Sequence, residues 1–232
     1  MQGFSMAFRK EIKFYFLGSR NYVNGLTIFE EMLKASNDLI TQSYGAIKSI
    51  QLFKINKFIR SDCSLVILSP NDRSDQPPQE VSASITLLLA NGQTLRLCLV
   101  PQEEMVTVRL PDYDRGRYIG QENSDDAGLV SVQLHHIENE YDLMRAIVEA
   151  NYRPCVALAA GRGVQRGVSW AYLKHFPWLE KQKASRVKKI TYLKMLVFPT
   201  RDKIFVIKTF MLDEMPGVEI EMGFFFNIFA QQ

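Results

Sequence analysis

At 232 residues, 47% hydrophobic, 23% charged and with a net charge of +3, the chain suits one large globular domain or two of about 115 residues. The small net charge gives no case for a nucleic-acid partner. No apolar run reaches the ~20 residues of a membrane helix, and the start lacks the charged-then-apolar plan of a signal peptide. Three cysteines, Cys63, Cys98 and Cys155, are odd in number and far apart, so neither a disulfide framework nor a C-x-x-C metal site is present. A reduced, cytoplasmic protein without metal or other cofactor is the expectation.

Residues 8–17 alternate and are rich in Phe and Tyr, which predicts a half-buried strand. A polar loop leads to Asn24-Gly25, where a helix opens over 25–38. Its stripe is Leu26, Phe29 and Leu33 with Ile28 and Met32 alongside, and Glu30 and Glu31 fall in its second turn. Strands are predicted over 47–55 and 64–68, followed by a loop over 69–80 that holds Pro77 and Pro78. Segments 81–89 and 94–100 flank Asn91-Gly92, the strongest short hairpin signal. Residues 102–128 are polar and read as a linker. A strand over 129–136 carries His135 and His136, whose side chains should face opposite ways. A helix over 139–152 follows, capped by Asn139. The last strands are 187–197, 203–212 and 218–229, with Pro216-Gly217 turning between the final two.

The chain repeats itself. Residues 14–36 lie over 156–178 at an offset of 142, pairing Arg20 with Arg162 and Gly25 with Gly167, and predicting a second strand–loop–helix block. Residues 47–68 lie over 187–208 at an offset of 140 with seven of 22 positions identical, Asp62/Asp202 among them. One apolar helix followed by long antiparallel strands, twice over, is the plan of a double hotdog in the α+β class. The expected division is a first unit over 1–101, a linker with a strand and a helix over 102–152, and a degenerate second unit over 153–232.

The first half resembles the 3-hydroxyacyl-carrier-protein dehydratases and related hotdog thioesterases. The likeness rests on Gly25 opening the helix, an acid five residues on at Glu30, the basic Phe-bearing run 54–58 and the Asn-Gly hairpin. It implies that Gly25 N–H holds a thioester carbonyl and that Glu30 protonates a departing hydroxyl. It also implies that a histidine before the helix removes the proton next to the carbonyl. That histidine would fall near Phe16, and the first half has none; all three are His135, His136 and His175. His136 is therefore the expected base, supplied by the second unit, where Tyr172 takes the place of Glu30. Dehydration is the first reading, with a thioesterase or a non-catalytic acyl- or carrier-binding subunit as alternatives.

Other residues have two readings each. Glu30 is either a buried general acid or a flank residue paired with Lys34 one turn on. Gly25 and Gly167 either bind an oxyanion or serve tight turns. Arg20, Arg162 and Gly167 are candidate substrate contacts, the arginines gripping a phosphopantetheine phosphate or simply tying down loops. Cys63 is expected to be an ordinary core thiol. Residues 181–208 hold nine Lys/Arg against one acid, Asp202. This stretch is either a solvated strand edge that blocks aggregation or, through Lys181, Lys183 and Arg186, a docking site for an acidic acyl carrier protein, and hotdog sheets are candidates for homo- or hetero-oligomer contacts.

Overall fold

The computed structural model describes residues 8–68, 80–126, 128–162 and 168–227. The chain divides into two compact units, Met1–Tyr113 and Asp114–Gln232. Residues 102–152, expected as a linker, are split between them and mostly build the second. Gly167 and most of the loop 69–80 lie outside the described residues.

In the first unit the order is β1 (Phe8–Ile12), β2 (Phe16–Leu17), α1 (Gly25–Ser43), β3 (Ile47–Ile55), β4 (Ser61–Leu68), β5 (Ala83–Leu89), β6 (Thr94–Met105) and β7 (Arg109–Leu110). Five strands form an antiparallel sheet in the order β1-β4-β6-β5-β3, while β2 pairs with β7 in parallel. Asn24 caps α1 by accepting from Leu26 N–H at 2.8 Å. The helix outruns the expected end at residue 38 and stops where Gly45 adopts φ +107°, a conformation that suits glycine. Leu26, Ile28, Phe29, Met32, Leu33 and Ile40 are buried, and the Phe29 ring meets Phe53 of β3 edge-on at 5.3 Å.

The second unit begins with a 3-10 turn (Arg115–Tyr118). It continues with β8 (Ile119–Ser124), β9 (Val130–Leu134), α2 (Glu140–Ala160), β10 (Ser169–Pro177), α3 (Lys181–Ala184), β11 (Lys189–Pro199), β12 (Lys203–Leu212) and β13 (Ile220–Asn227). Its sheet runs β8-β9-β11-β12-β13-β10. Each unit thus pairs one long helix with a long antiparallel sheet, and the chain is an α+β double hotdog.

The repeat exists in architecture and not in the expected register. Residues 156–160 are the end of α2, and residues 169–177, expected as a helix, are β10. Misleading spacing has a physical cause here. A bulge between Trp170 and Tyr172 adds a residue to β10, so the buried positions Trp170 and Leu173 stand three apart, a helical interval. The offset of 140 fails as well. β11 and β12 form a direct hairpin, whereas β4 lies between β1 and β6 and β3 pairs with β5. Arg162 follows α2 while Arg20 precedes α1, so the two are not equivalent, and Tyr172 is not on a helix.

The sequence predicts that α2 ends near Tyr152, ahead of Pro154. It continues to Ala160 with Pro154 inside it. Proline lacks the N–H that the carbonyl of residue 150 would accept. The Tyr192 hydroxyl of β11 donates to that carbonyl at 2.7 Å, closing the gap. Burial pushes the Tyr192 phenol above its ordinary value, which keeps it a donor. Tyr192→Phe should therefore lower the unfolding free energy by about 1–3 kcal/mol in urea melts. In a Pro154→Ala background the N–H returns, and the same substitution should cost well under half as much.

Candidate functional site

The amino-terminal half of α1 gathers four polar side chains. Thr27, Glu30, Glu31 and Lys34 share one side of the helix by their three- and four-residue spacing. Glu30 is buried, its side chain only 4% exposed. The Lys34 ammonium reaches Glu30 Oε2 at 3.4 Å and Glu31 Oε1 at 3.3 Å. Burial works against the Lys34 charge, but the two carboxylates outweigh it and raise Lys34 above its ordinary value. Gly25 is the first residue of α1, where backbone N–H groups have no partner within the helix.

Tyr15 completes the group from the segment between β1 and β2. Asp62 of β4 fixes that segment by accepting the Phe14 N–H at 2.8 Å. The Tyr15 phenol is raised by burial first and then by Glu31 and Glu30, against a hydrogen bond with Thr27 and the Lys34 charge. It is a hydroxyl donor at neutral pH. Tyr15 and Thr27 are absent from the sequence-based candidates. The available signal was position, because Tyr15 is next to Phe16, where the resemblance expects a histidine.

The other expected site residues are scattered. Arg20 forms an ion pair with Asp112 at 2.9 Å and donates to the Leu17 carbonyl, so it ties the loop to β2 and the segment after β7. Arg109 strengthens that tie by donating to the Gly18 and Arg20 carbonyls at 2.5 and 2.7 Å. Arg162 is exposed in the turn after α2. His135 and His136 lie beyond the end of β9, both exposed, and His136 has φ +55°, so strand alternation does not govern their side chains. Lys181 and Lys183 are exposed on α3 and Arg186 just after it. Cys63 is fully buried, and burial with the Asp62 charge pushes its thiol up to about 12, as fits a core cysteine.

At the start of α2 a second buried acid appears. Asp142 accepts from the Tyr118 hydroxyl at 2.9 Å and the Asn139 amide at 2.8 Å, and Arg145 stands 3.3 Å away. Its oxygens are engaged by structural partners. In the first unit Glu11, Asp62 and Glu104 bring carboxylate oxygens within 4.8 Å of one another, a grouping that could hold a cation. Glu11 and Glu104 also line an open depression of about 640 Å³ beside Arg9. No described helix is long and apolar enough to cross a membrane.

No family model matches the chain, and no curated protein matches it significantly. Solved structures resemble it in fold at low identity. A tesB protein of Mycobacterium avium subspecies paratuberculosis is 9% identical over 94% of this chain and 92% of its own, with a TM-score of 0.48. A protein of unknown function with a hot dog fold from Alicyclobacillus acidocaldarius is 8% identical over 99% and 96%, with a TM-score of 0.47. A variant of the PpsC dehydratase domain of Mycobacterium tuberculosis is 11% identical over 88% and 84%, with a TM-score of 0.42.

The ion pair on α1 gives a direct prediction. Lys34→Met should reduce stability by about 1–2 kcal/mol, because Glu30 stays buried while its cation is gone. Lys34 is itself half-exposed, which keeps the figure low. Adding Glu30→Gln should recover most of the loss, as read from urea midpoints at constant slope.

Proposed function

We propose that the chain processes acyl thioesters, and that its reaction is loss of water from a 3-hydroxyacyl thioester carried on an acyl carrier protein. Glu30 carries the reading: a buried carboxyl group beside the apolar stripe of α1, five residues after the glycine that opens the helix. A charge on that face costs free energy that packing alone does not return, and such groups concentrate at functional sites.

Elimination needs a donor for the enolate-like oxygen, a base for the proton beside the carbonyl and an acid for the leaving hydroxyl. The Gly25 N–H, at the positive end of α1, suits the oxygen. In its protonated form Glu30 gives its proton to the hydroxyl at C3, and the bond between C3 and that oxygen breaks to release water. A base takes the proton from C2, and the electron pair left there forms the C2–C3 double bond; His136 is the sequence-based candidate for that base. Tyr15, a protonated phenol beside Glu30, orients the substrate hydroxyl. Lys181, Lys183 and Arg186 are the docking cations for the acidic carrier.

A second reading is favoured by one observation. The first histidine of the chain is His135, so the segment before α1 carries no base of the expected kind. A subunit that binds an acyl chain or carrier protein without catalysis accommodates that, and so does a thioesterase that activates water with Glu30.

Mass spectrometry of 3-hydroxyacyl carrier-protein thioesters incubated with the protein separates these readings by loss of water, release of free acid or no change. Glu30→Gln should slow dehydration by ~10²–10⁴ with the melting temperature nearly unchanged. His136→Ala should do the same; full turnover in that variant would remove His136 from the mechanism and leave Glu30. Full turnover in Glu30→Gln would overturn the enzyme reading. Carrier binding should weaken steeply from low to physiological ionic strength. Reversing Lys181, Lys183 and Arg186 to Glu should abolish it; unchanged affinity would discard the patch.

A further inference from the structure

β12 alternates inward and outward, and Ile204, Val206, Phe210 and Leu212 fill its buried positions. Lys208 occupies the inward position between Val206 and Phe210. The sequence reading counts it in the basic stretch 181–208, yet the residue is only 3% exposed. Its ammonium lies over the Tyr192 ring, 4.4 Å from the centroid. Among the described residues it meets no carboxylate at ion-pair distance, and Glu122 of β8 acts on it only through space.

Three neighbours define its surroundings. On α2, Cys155 is fully buried and close enough for its ionisation to respond to the Lys208 charge. Burial holds that thiol up at about 11, so it is neutral at pH 7 and offers no counter-charge. One turn earlier on the same helix face, the fully buried Asn151 donates its amide to the Ile147 carbonyl at 2.8 Å, but its Oδ1 has no hydrogen-bond donor. Directly opposite Lys208 on β11 stands Met195, on the same inward face of the sheet and yet 51% exposed. The inner face of the sheet is thus open to solvent at Met195, the cross-strand neighbour of Lys208.

From this geometry we infer that Lys208 is a carbonyl-reactive amine, a site where the second unit forms an imine with a small unhindered aliphatic aldehyde or ketone. A lysine without an anionic partner in apolar surroundings favours its neutral, nucleophilic form. Burial lowers Lys208 to about 8, which leaves roughly a hundredfold more free amine at pH 7 than an ordinary lysine has. The nitrogen lone pair attacks the carbonyl carbon, and a proton passes from nitrogen to oxygen to give a carbinolamine. Asn151 Oδ1 is an acceptor on the facing helix for that hydroxyl. Departure of water leaves the imine, with no oxidant or reductant involved. The Tyr192 hydroxyl is occupied by the Ala150 carbonyl, so the ring alone faces the amine. This inference is independent of the acyl-thioester reading, which concerns α1.

The test is reductive trapping of the full chain with butanal and sodium cyanoborohydride, followed by peptide mapping. Lys208 should be alkylated at pH 7 at least tenfold faster than the exposed Lys181, Lys183 and Lys188. Its rate should level off above about pH 8, while theirs continue to rise towards the ordinary lysine value near 10.4. Lys208→Met, which exchanges a buried charge for an apolar chain, should remove the fast phase and melt no lower than the parent. An unmodified Lys208 in the folded protein, or one that reacts with the rate and pH profile of the surface lysines, would overturn the assignment.

Discussion

Burial of one long helix against an antiparallel sheet is the constraint on which each unit depends. Such an interface excludes water, so every polar group within it needs a partner or a purpose. Most have a partner. Ser36 turns its hydroxyl back to the Met32 carbonyl at 2.8 Å. Tyr192 closes the gap opened by Pro154, and Asp142 is held by Tyr118 and Asn139. Asn151 Oδ1 meets no donor, Glu149 has a half-exposed arginine at 3.3 Å, and two more side chains stand out beside them. Glu30 is buried with a half-exposed lysine at 3.4 Å, and Lys208 is buried over an aromatic ring with no anion in contact. Chemistry belongs at such exceptions.

The two units solve the packing problem with the same parts in different order. In the second, β11 and β12 are neighbours joined by the short hairpin 200–202. In the first, β4 pairs with β6 and not with β5, and the chain between β4 and β5 runs through residues 69–82. A short turn can only join adjacent antiparallel strands, whereas a long connection can pass to a strand farther along. The resulting sheets have comparable faces but different strand sequences. Residue-by-residue comparison of the units is unsafe for that reason, and Glu30 has Arg145 at the matching distance into α2 and not an acid.

Much of this was legible in the sequence. The Asn24-Gly25 helix start, the Asn139 cap, β3 and β12 to the residue, and the Asn91-Gly92 turn with φ +83° at Gly92 all follow from local chemistry. The α+β double hotdog follows from the order of helix and strands. Non-local compensation was not legible. No local rule says that Tyr192 would carry α2 past Pro154, or that a bulge would give β10 a helical spacing. The candidate site divides in the same way. Glu30 was legible as a candidate from its place beside the apolar stripe on α1, with its burial left open, but Tyr15 joins it only because Asp62, far along the chain, holds the preceding backbone. Lys208 looked like one more cation in a basic run, since composition does not report which face of a strand a residue occupies.

The central claim is that Gly25 and Glu30 address the two ends of a 3-hydroxyacyl thioester. A crystal structure with a non-hydrolysable 3-hydroxyacyl pantetheine analogue tests it most directly. The account predicts the analogue's carbonyl oxygen about 3 Å from the Gly25 nitrogen and its hydroxyl within hydrogen-bond distance of Glu30. An analogue bound elsewhere, with Glu30 still engaged only within the first unit's own side chains, would contradict it.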